Sequence, residues 1–263
     1  MSKLTTTKLV LIRHGQTEHN AAGLLAGWTD SALSNVGQGQ AVRMAAYVSR
    51  QYRLDYIYAS PLQRARYTAE AIGRLTGHVA TACEGLKEVN FGLLEGLTHE
   101  EATDRYPDIW RASRALSGVP FVWPGGEAFD AFFERVSASV SEIVARHPGK
   151  TVALVTYGGA IGAFVADLVE GYHLFWERYV PRNCSVTEIH ASVEDSGQLA
   201  LRRGPSSVAR PEYQIHYFNH ASFLFDDLRF DNQDKLASVH AEECRDADFG
   251  DAERLPIATS LAS

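Results

Sequence analysis

Two short stretches of this chain share a layout and differ in the one residue that chemistry would use. In KLVLIRHGQTEHN (8–20) an apolar run stops at Arg13-His14-Gly15, and in TVALVTYGGAIGAF (151–164) a similar run stops at Tyr157 before a pair of glycines. A histidine released at a strand end beside an arginine can act as a nucleophile toward an anion. Arg13 is a fixed cation next to His14, Gly15 lets backbone N–H groups approach a ligand, and Thr17 and Asn20 add neutral donors just downstream. Arg64, in the first turn of a later predicted helix, brings a second guanidinium to the positive end of the helix dipole. Two arginines and a turn of exposed amides make a phosphate pocket, because the planar guanidinium fork meets two oxygens at once. Read singly, the same residues also fit ordinary roles: His14 a satisfied polar turn, Arg64 a solvated helix face.

The elements that would position them alternate strand and helix. KLVLI lacks polar alternation, as a strand covered on both faces does. A polar, glycine-dotted loop follows from Gly15 to about Ser34. Residues 34–52 predict a helix capped by Ser34 or Asn35, with Val42, Ala45, Ala46 and Tyr47 facing inward. LDYIYAS (54–60) reads as a second strand, and 61–77 as a helix opened by Pro61 in its first turn and closed by Gly77. Residues 81–97 read as irregular. Over 98–126 a short helix is expected, then an aromatic, proline- and glycine-rich loop whose Tyr106, Trp110, Phe121 and Trp123 form either a specificity lid or an aromatic minicore. A helix is expected over 127–147, a strand over 151–156, a helix over 159–171 and β structure over 185–192 and 213–218. This order predicts an α/β fold, a three-layer α/β/α sandwich with a mostly parallel central sheet and ligands beyond the carboxyl ends of its strands. One domain is expected over 1–225, with an insertion or lid at about 98–126. An acidic tail over 226–263 is expected to be partly disordered or helical.

Composition narrows the function classes. A net charge of -7 over 263 residues argues against nucleic acid and against a membrane surface as partners, since both gather proteins with a broad basic field. An anionic ligand would therefore be held by a few local cations. Cys83, Cys184 and Cys244 are far apart and odd in number, which indicates neither a disulfide framework nor a zinc site. The first apolar run is too short for a signal peptide and no later stretch approaches a membrane span, so a cytoplasmic location is expected.

Taken together, six blocks resemble the histidine phosphatase superfamily, which includes the cofactor-dependent phosphoglycerate mutases. LIRHGQTEHN is similar to its RHGxTxxN signature, GWTDSALSNVGQGQA to the stretch that follows, and ASPLQRARYTAEAI to its arginine-bearing helix. LKEVNFGLLEG, WPGGEAFDAFFERV and the NCSVTEI and FNHASFL endings match later blocks, in order, from about Lys8 to Leu224. The resemblance implies a phosphoglycerate mutase-like fold and a set of roles. His14 would be the nucleophile that forms a phosphohistidine; Arg13, Arg64 and Asn20 would hold phosphoryl oxygens. Glu88 would protonate the leaving oxygen and later activate water, with Thr17, Gly27 and Gly158 lining the substrate. No metal and no cofactor are implied, because the arginines neutralise the phosphoryl charge; the partner would be a small phosphorylated or other anionic substrate, and a homodimer is a family-level expectation. The wording EVNFGLLEG resembles the phosphatase members more than the mutases.

One block departs. Tyr157 stands where the family has its second catalytic histidine. A phenol titrates near pH 10, so it can serve as a neutral donor but not as a cation. Losing a preorganised donor to a developing oxyanion costs about a hundredfold to a thousandfold in rate, and a retained O–H would recover part of that. His19, His99, His216 and His220 are the histidines that could compensate. The expected activity is a phosphomonoesterase modified by Tyr157, with a scaffold recruited to other chemistry or to binding without hydrolysis, and mutase-type transfer, as the alternatives.

Overall fold

A computed structural model describes residues 4–114, 121–171, 173–194, 201–203 and 209–225. In chain order it contains β1 (Leu4–Arg13), α1 (Glu18–Ala21), α2 (Asn35–Gln51), β2 (Tyr56–Ala59), α3 (Gln63–Thr76), β3 (Thr81–Ala82), α4 (His99–Arg105), α5 (Pro107–Arg114) and α6 (Phe129–Arg146). There follow β4 (Thr151–Thr156), α7 (Gly158–Glu170), β5 (Val186–Glu194), β6 (Leu201–Arg203), β7 (Ala209–Pro211) and β8 (Tyr213–His220). The main sheet has the order β3-β2-β4-β1-β5-β8, and β6 and β7 form a separate ribbon. β1, β4, β2 and β3 are parallel, whereas β5 runs against both its neighbours, so β5 alone opposes the common direction. The mostly parallel α/β architecture is the one the alternation of elements predicts.

The path of the chain sets the layers. It moves outward from β1 to β2 to β3 and then returns to insert β4 between β2 and β1. Right-handed crossovers therefore place α2 and α3 on one face and α6 on the other. α2 packs on α3 and α6 on α7. Covered on both sides, Leu9–Ile12 and Val152–Val155 are buried residue after residue, which is why neither run alternates.

Local signals held at several ends. Ser34 caps α2, accepting a hydrogen bond from the Gly37 N–H at 3.1 Å, and Gly77 closes α3 in the left-handed region with φ of 75°. Two details differ. Pro61 precedes α3, whose cap is Leu62, rather than entering its first turn. The inward stripe of α2 is Gly37, Ala41, Met44, Ala45 and Val48; Val42 is exposed, and Ala46 and Tyr47 lie at the margin. The helix is drawn in on its smallest residues, because a Cβ at Gly37 would overlap the Gln16 carbonyl. Over 98–126 there are two helices, α4 and α5, where one was expected, and α4 opens with a capping box between Thr98 and Glu101. Trp123 is buried and stands edge-on to Phe91 and Phe121, so Phe121 and Trp123, two of the four aromatics, pack as a minicore. The acidic tail, 226–263, lies outside the described residues, and with it Cys244. Among the described residues no helix is long and apolar enough to cross a membrane.

Candidate active site

Strand register builds the site. Arg13 pairs with Thr156 across β1 and β4, so the next residues, His14 and Tyr157, emerge side by side at the carboxyl rim. The His14 N–H donates to the Thr156 carbonyl at 3.0 Å, and the two rings lie 5.2 Å apart at 59°. Ala59 pairs with Val155, which brings Ser60 to the same rim. Behind His14, buried Cys184 adopts a left-handed φ of 55° and donates its N–H to the Arg13 carbonyl at 2.9 Å. Asn183 Nδ2 donates to the His14 carbonyl at 3.0 Å, so a strained turn holds the histidine backbone from beneath.

The polar groups around His14 are buried or half-buried, and each has defined partners. His14 Nδ1–H donates to the Gly15 carbonyl at 2.7 Å, which fixes the tautomer and leaves the lone pair on Nε2. Burial, then the Arg64 and Arg13 charges, hold its pKa well below the usual imidazole value, so the ring is neutral. Arg64, itself buried, donates through Nη1 to the Thr29 carbonyl at 2.8 Å and through Nη2 to the Gly27 carbonyl at 2.6 Å. Arg13 Nη1 donates to the Pro181 carbonyl at 2.6 Å. The Nε–H of each arginine is buried with no acceptor among the described residues. Buried donors are nearly always paired, so two orphaned guanidinium N–H groups beside one imidazole mark where an anion would complete the site. Glu88 closes the group: Oε2 accepts from the Gly159 N–H at the start of α7 at 2.9 Å, and Oε1 from the Val89 N–H at 3.1 Å. Burial pushes its carboxyl pKa up, against the opposing pull of those N–H groups and of Arg64 and Arg13.

A neutral histidine, the buried Arg64, a half-buried Arg13 whose Nε–H is buried, and a carboxyl with a raised pKa coincide with a profile match over residues 9–202 to the histidine phosphatase superfamily (branch 1). The chain belongs to that superfamily. Among its relatives, a metal-independent phosphoserine phosphatase from Arabidopsis thaliana is 35% identical over 166 residues, 62% of this chain and 69% of that protein. Phosphoserine phosphatase 1 from Hydrogenobacter thermophilus is 33% identical over 186 residues, 70% of this chain and 86% of its own. The solved structure of a mycobacterial glucosyl-3-phosphoglycerate phosphatase superposes with a TM-score of 0.68 at 28% identity, covering 82% of this chain and 99% of the other.

Within this histidine phosphatase framework several expected contacts take a different form. The Tyr157 hydroxyl, a neutral donor, donates to Ser60 Oγ at 2.6 Å, and the ring lies 4.6 Å from the guanidinium carbon of Arg64. Burial raises the phenol pKa further, so it stays neutral. Thr17 caps α1 through its side chain, which accepts from the Asn20 N–H at 3.1 Å. Asn20 Oδ1 accepts from the Thr17 N–H at 3.1 Å and from Asn183 Nδ2 at 3.3 Å, which directs its own amide nitrogen the other way. Gly15 commits its N–H to Thr68 Oγ1, and a Cβ there would press on the Gly37 carbonyl, so the glycine serves packing against α2. Gly27 acts through the carbonyl that holds Arg64. Gly158 makes room, since a Cβ would stand 3.2 Å from the Arg13 guanidinium carbon. His99 packs on Trp110 and His216 on His190, while His220, at the carboxyl end of β8, packs on Tyr47.

Other positioning residues carried no signal of their own in the sequence. Glu95 accepts from the Trp28 and Thr29 N–H groups at 2.8 Å each and so shapes the turn whose carbonyls hold Arg64. Trp28 Nε1 donates to the Glu88 carbonyl at 2.7 Å. Arg135, paired with Glu127 at 2.9 Å, donates to the carbonyls of Gly85, Lys87 and Glu88. Glu95 and Glu127 do fall inside the family-like blocks; Ser60 and Asn183 do too, but nothing in those blocks distinguishes a spacer from a clamp.

Proposed function

We propose that this protein is a metal-independent phosphomonoesterase that releases phosphate from a small phosphorylated metabolite through a phosphohistidine on His14. The observation that carries the reading is the pair of buried Nε–H donors of Arg13 and Arg64, without acceptors, flanking a neutral His14. His14 Nε2 attacks phosphorus as the P–O bond to the leaving group breaks; Arg13, Arg64 and the Asn20 amide take up the charge on the phosphoryl oxygens. Glu88 gives its proton to the leaving oxygen. Glu88, now a carboxylate, then accepts a proton from water as the water oxygen replaces Nε2 on phosphorus, which restores both residues. Residues 1–225 would make up the catalytic domain. The named relatives act on phosphoserine and glucosyl-3-phosphoglycerate, both small acidic phosphomonoesters, and we take that as the substrate class.

One observation favours a second reading, binding without hydrolysis: the hydroxyl of Tyr157 is committed to Ser60 instead of the ligand. A single experiment separates the two. Phosphate release is measured from a panel of small phosphomonoesters with the unmodified chain, His14→Ala and Tyr157→His. The expected outcome is release that falls at least about a thousandfold in His14→Ala. It should rise roughly tenfold to a hundredfold in Tyr157→His, as the donor returns. No release by either the unmodified chain or Tyr157→His would leave the binding reading in its place.

A further inference from the structure

Away from the rim, β5 and β8 bring three ligand-bearing side chains onto one face of the sheet. Glu188 and His190 alternate along β5. Opposite Glu188 the pairing of β8 is irregular, passing from Ile189↔Ile215 to Glu188↔Tyr217, and this irregularity lets His216 join them. One carboxylate oxygen and one ring nitrogen of each histidine lie within 4.8 Å of one another. His190 Nε2 is 2.7 Å from Glu188 Oε1, and the two imidazoles lie 3.5 Å apart between centroids at 33°.

We propose that Glu188, His190 and His216 form a binding site for one divalent transition-metal ion of the zinc class, separate from the phosphoryl chemistry. Two imidazoles and a carboxylate are a donor set that such ions take, at bond lengths of about 2.0–2.2 Å, with a further position for water. Side-chain rotation would have to draw the three donor atoms, now within 4.8 Å of one another, around the ion. The carboxylate is already oriented, because Tyr52 at the end of α2 donates its hydroxyl to Glu188 Oε2 at 2.9 Å and leaves Oε1 toward the histidines. Lys8 Nζ stands 3.2 Å from Oε1 and is the group an ion would displace; its side chain is 35% exposed, so the ammonium can turn to solvent. His216 is exposed and supplies the way in. Lys8 pairs with His190 and precedes His14 by six residues of extended chain, which puts this cluster about 20 Å from the phosphate pocket. The ion would tie β8 at the sheet edge to β5.

Zinc chloride titrated calorimetrically into the full-length chain tests this. The expected result is one-to-one binding that weakens at least about a hundredfold in His190→Gln and in His216→Gln, and roughly tenfold in Tyr52→Phe. Lys8→Met should bind several-fold more tightly. Zinc should raise the melting temperature of the unmodified chain and leave that of His216→Gln, an exposed edge position that tolerates the change, where it is. His14→Ala should bind zinc like the unmodified chain, so failure here and failure of the phosphatase reading are distinguishable. Absence of zinc binding, or an affinity unchanged in both histidine variants, as from the His240 and Cys244 region, would overturn the assignment.

Discussion

Tyr157 turns a π face, not a donor, toward the pocket. Its hydroxyl is held by Ser60 while its ring lies against Arg64, and a guanidinium over an aromatic face gains about 0.5–2 kcal/mol depending on desolvation. If the ring is what matters, Tyr157→Phe keeps kcat/KM within roughly threefold and lowers stability by about 1 kcal/mol through the lost Ser60 bond. A hundredfold fall in kcat/KM would show instead that the hydroxyl serves the phosphoryl group. Glu88 gives a pH prediction whose sign follows from its raised pKa. A general acid works only while protonated, so its contribution is full below its pKa and is lost as pH rises through it; raising that pKa extends the active range toward neutrality. For an alkyl phosphate, kcat/KM should therefore fall as pH rises from above the ordinary carboxylate range. Glu88→Gln should remove that limb and lower the rate by about a hundredfold to ten-thousandfold. An aryl phosphate, which needs less help in leaving, should lose less. A pH profile identical in shape before and after the substitution would remove Glu88 from this role.

The start of α7 shows how an element holds a reacting group. Glu88 reaches it from a separate loop and accepts the Gly159 N–H, and a Cβ at Gly159 would overlap Oε1 of that carboxylate. Alanine is the better helix former, so Gly159→Ala should melt within a few degrees of the unmodified protein while activity falls about tenfold or more as the carboxylate is pushed aside. Unchanged activity would mean that the carboxyl position is not critical. The GG pair after Tyr157 was legible as a turn into a helix; its second use, space for Glu88, was not, because it depends on a partner 71 residues away. The same division runs through the other elements. Ser34 and Gly77 announce helix ends because capping is local chemistry. The inward stripe of α2 was misjudged because close approach selects Gly37 and Ala41, which hydrophobicity does not rank. The clamp of Glu95 on the 27–29 turn depends on a contact that closes only when the sheet rim is assembled.

Across the whole molecule, the alternation of strand and helix implies a mostly parallel sheet with ligands beyond its carboxyl ends, and so the rim that carries His14 could be anticipated; the depth of its cations could not. Arg64 reads in the sequence equally as a solvated helix-face charge, yet it is sealed beneath Tyr157, and burial lowers the pKa of Arg13. This separates two electrostatic ranges. The chain carries a net charge of -7, so a dianionic substrate is repelled at long range and attracted only on entry. Salt screens the first term, since the Debye length is about 10 Å at 0.1 M, and leaves the buried contact with the arginines largely intact. From about 20 mM to about 200 mM potassium chloride, kcat/KM for a small dianionic phosphomonoester should therefore hold steady or rise by up to roughly threefold. The rise should come from substrate encounter, so kcat itself should not change, and a monoanionic ester should respond less. A steep fall in kcat/KM with salt would mean that exposed cations, not the buried pair, gather the substrate.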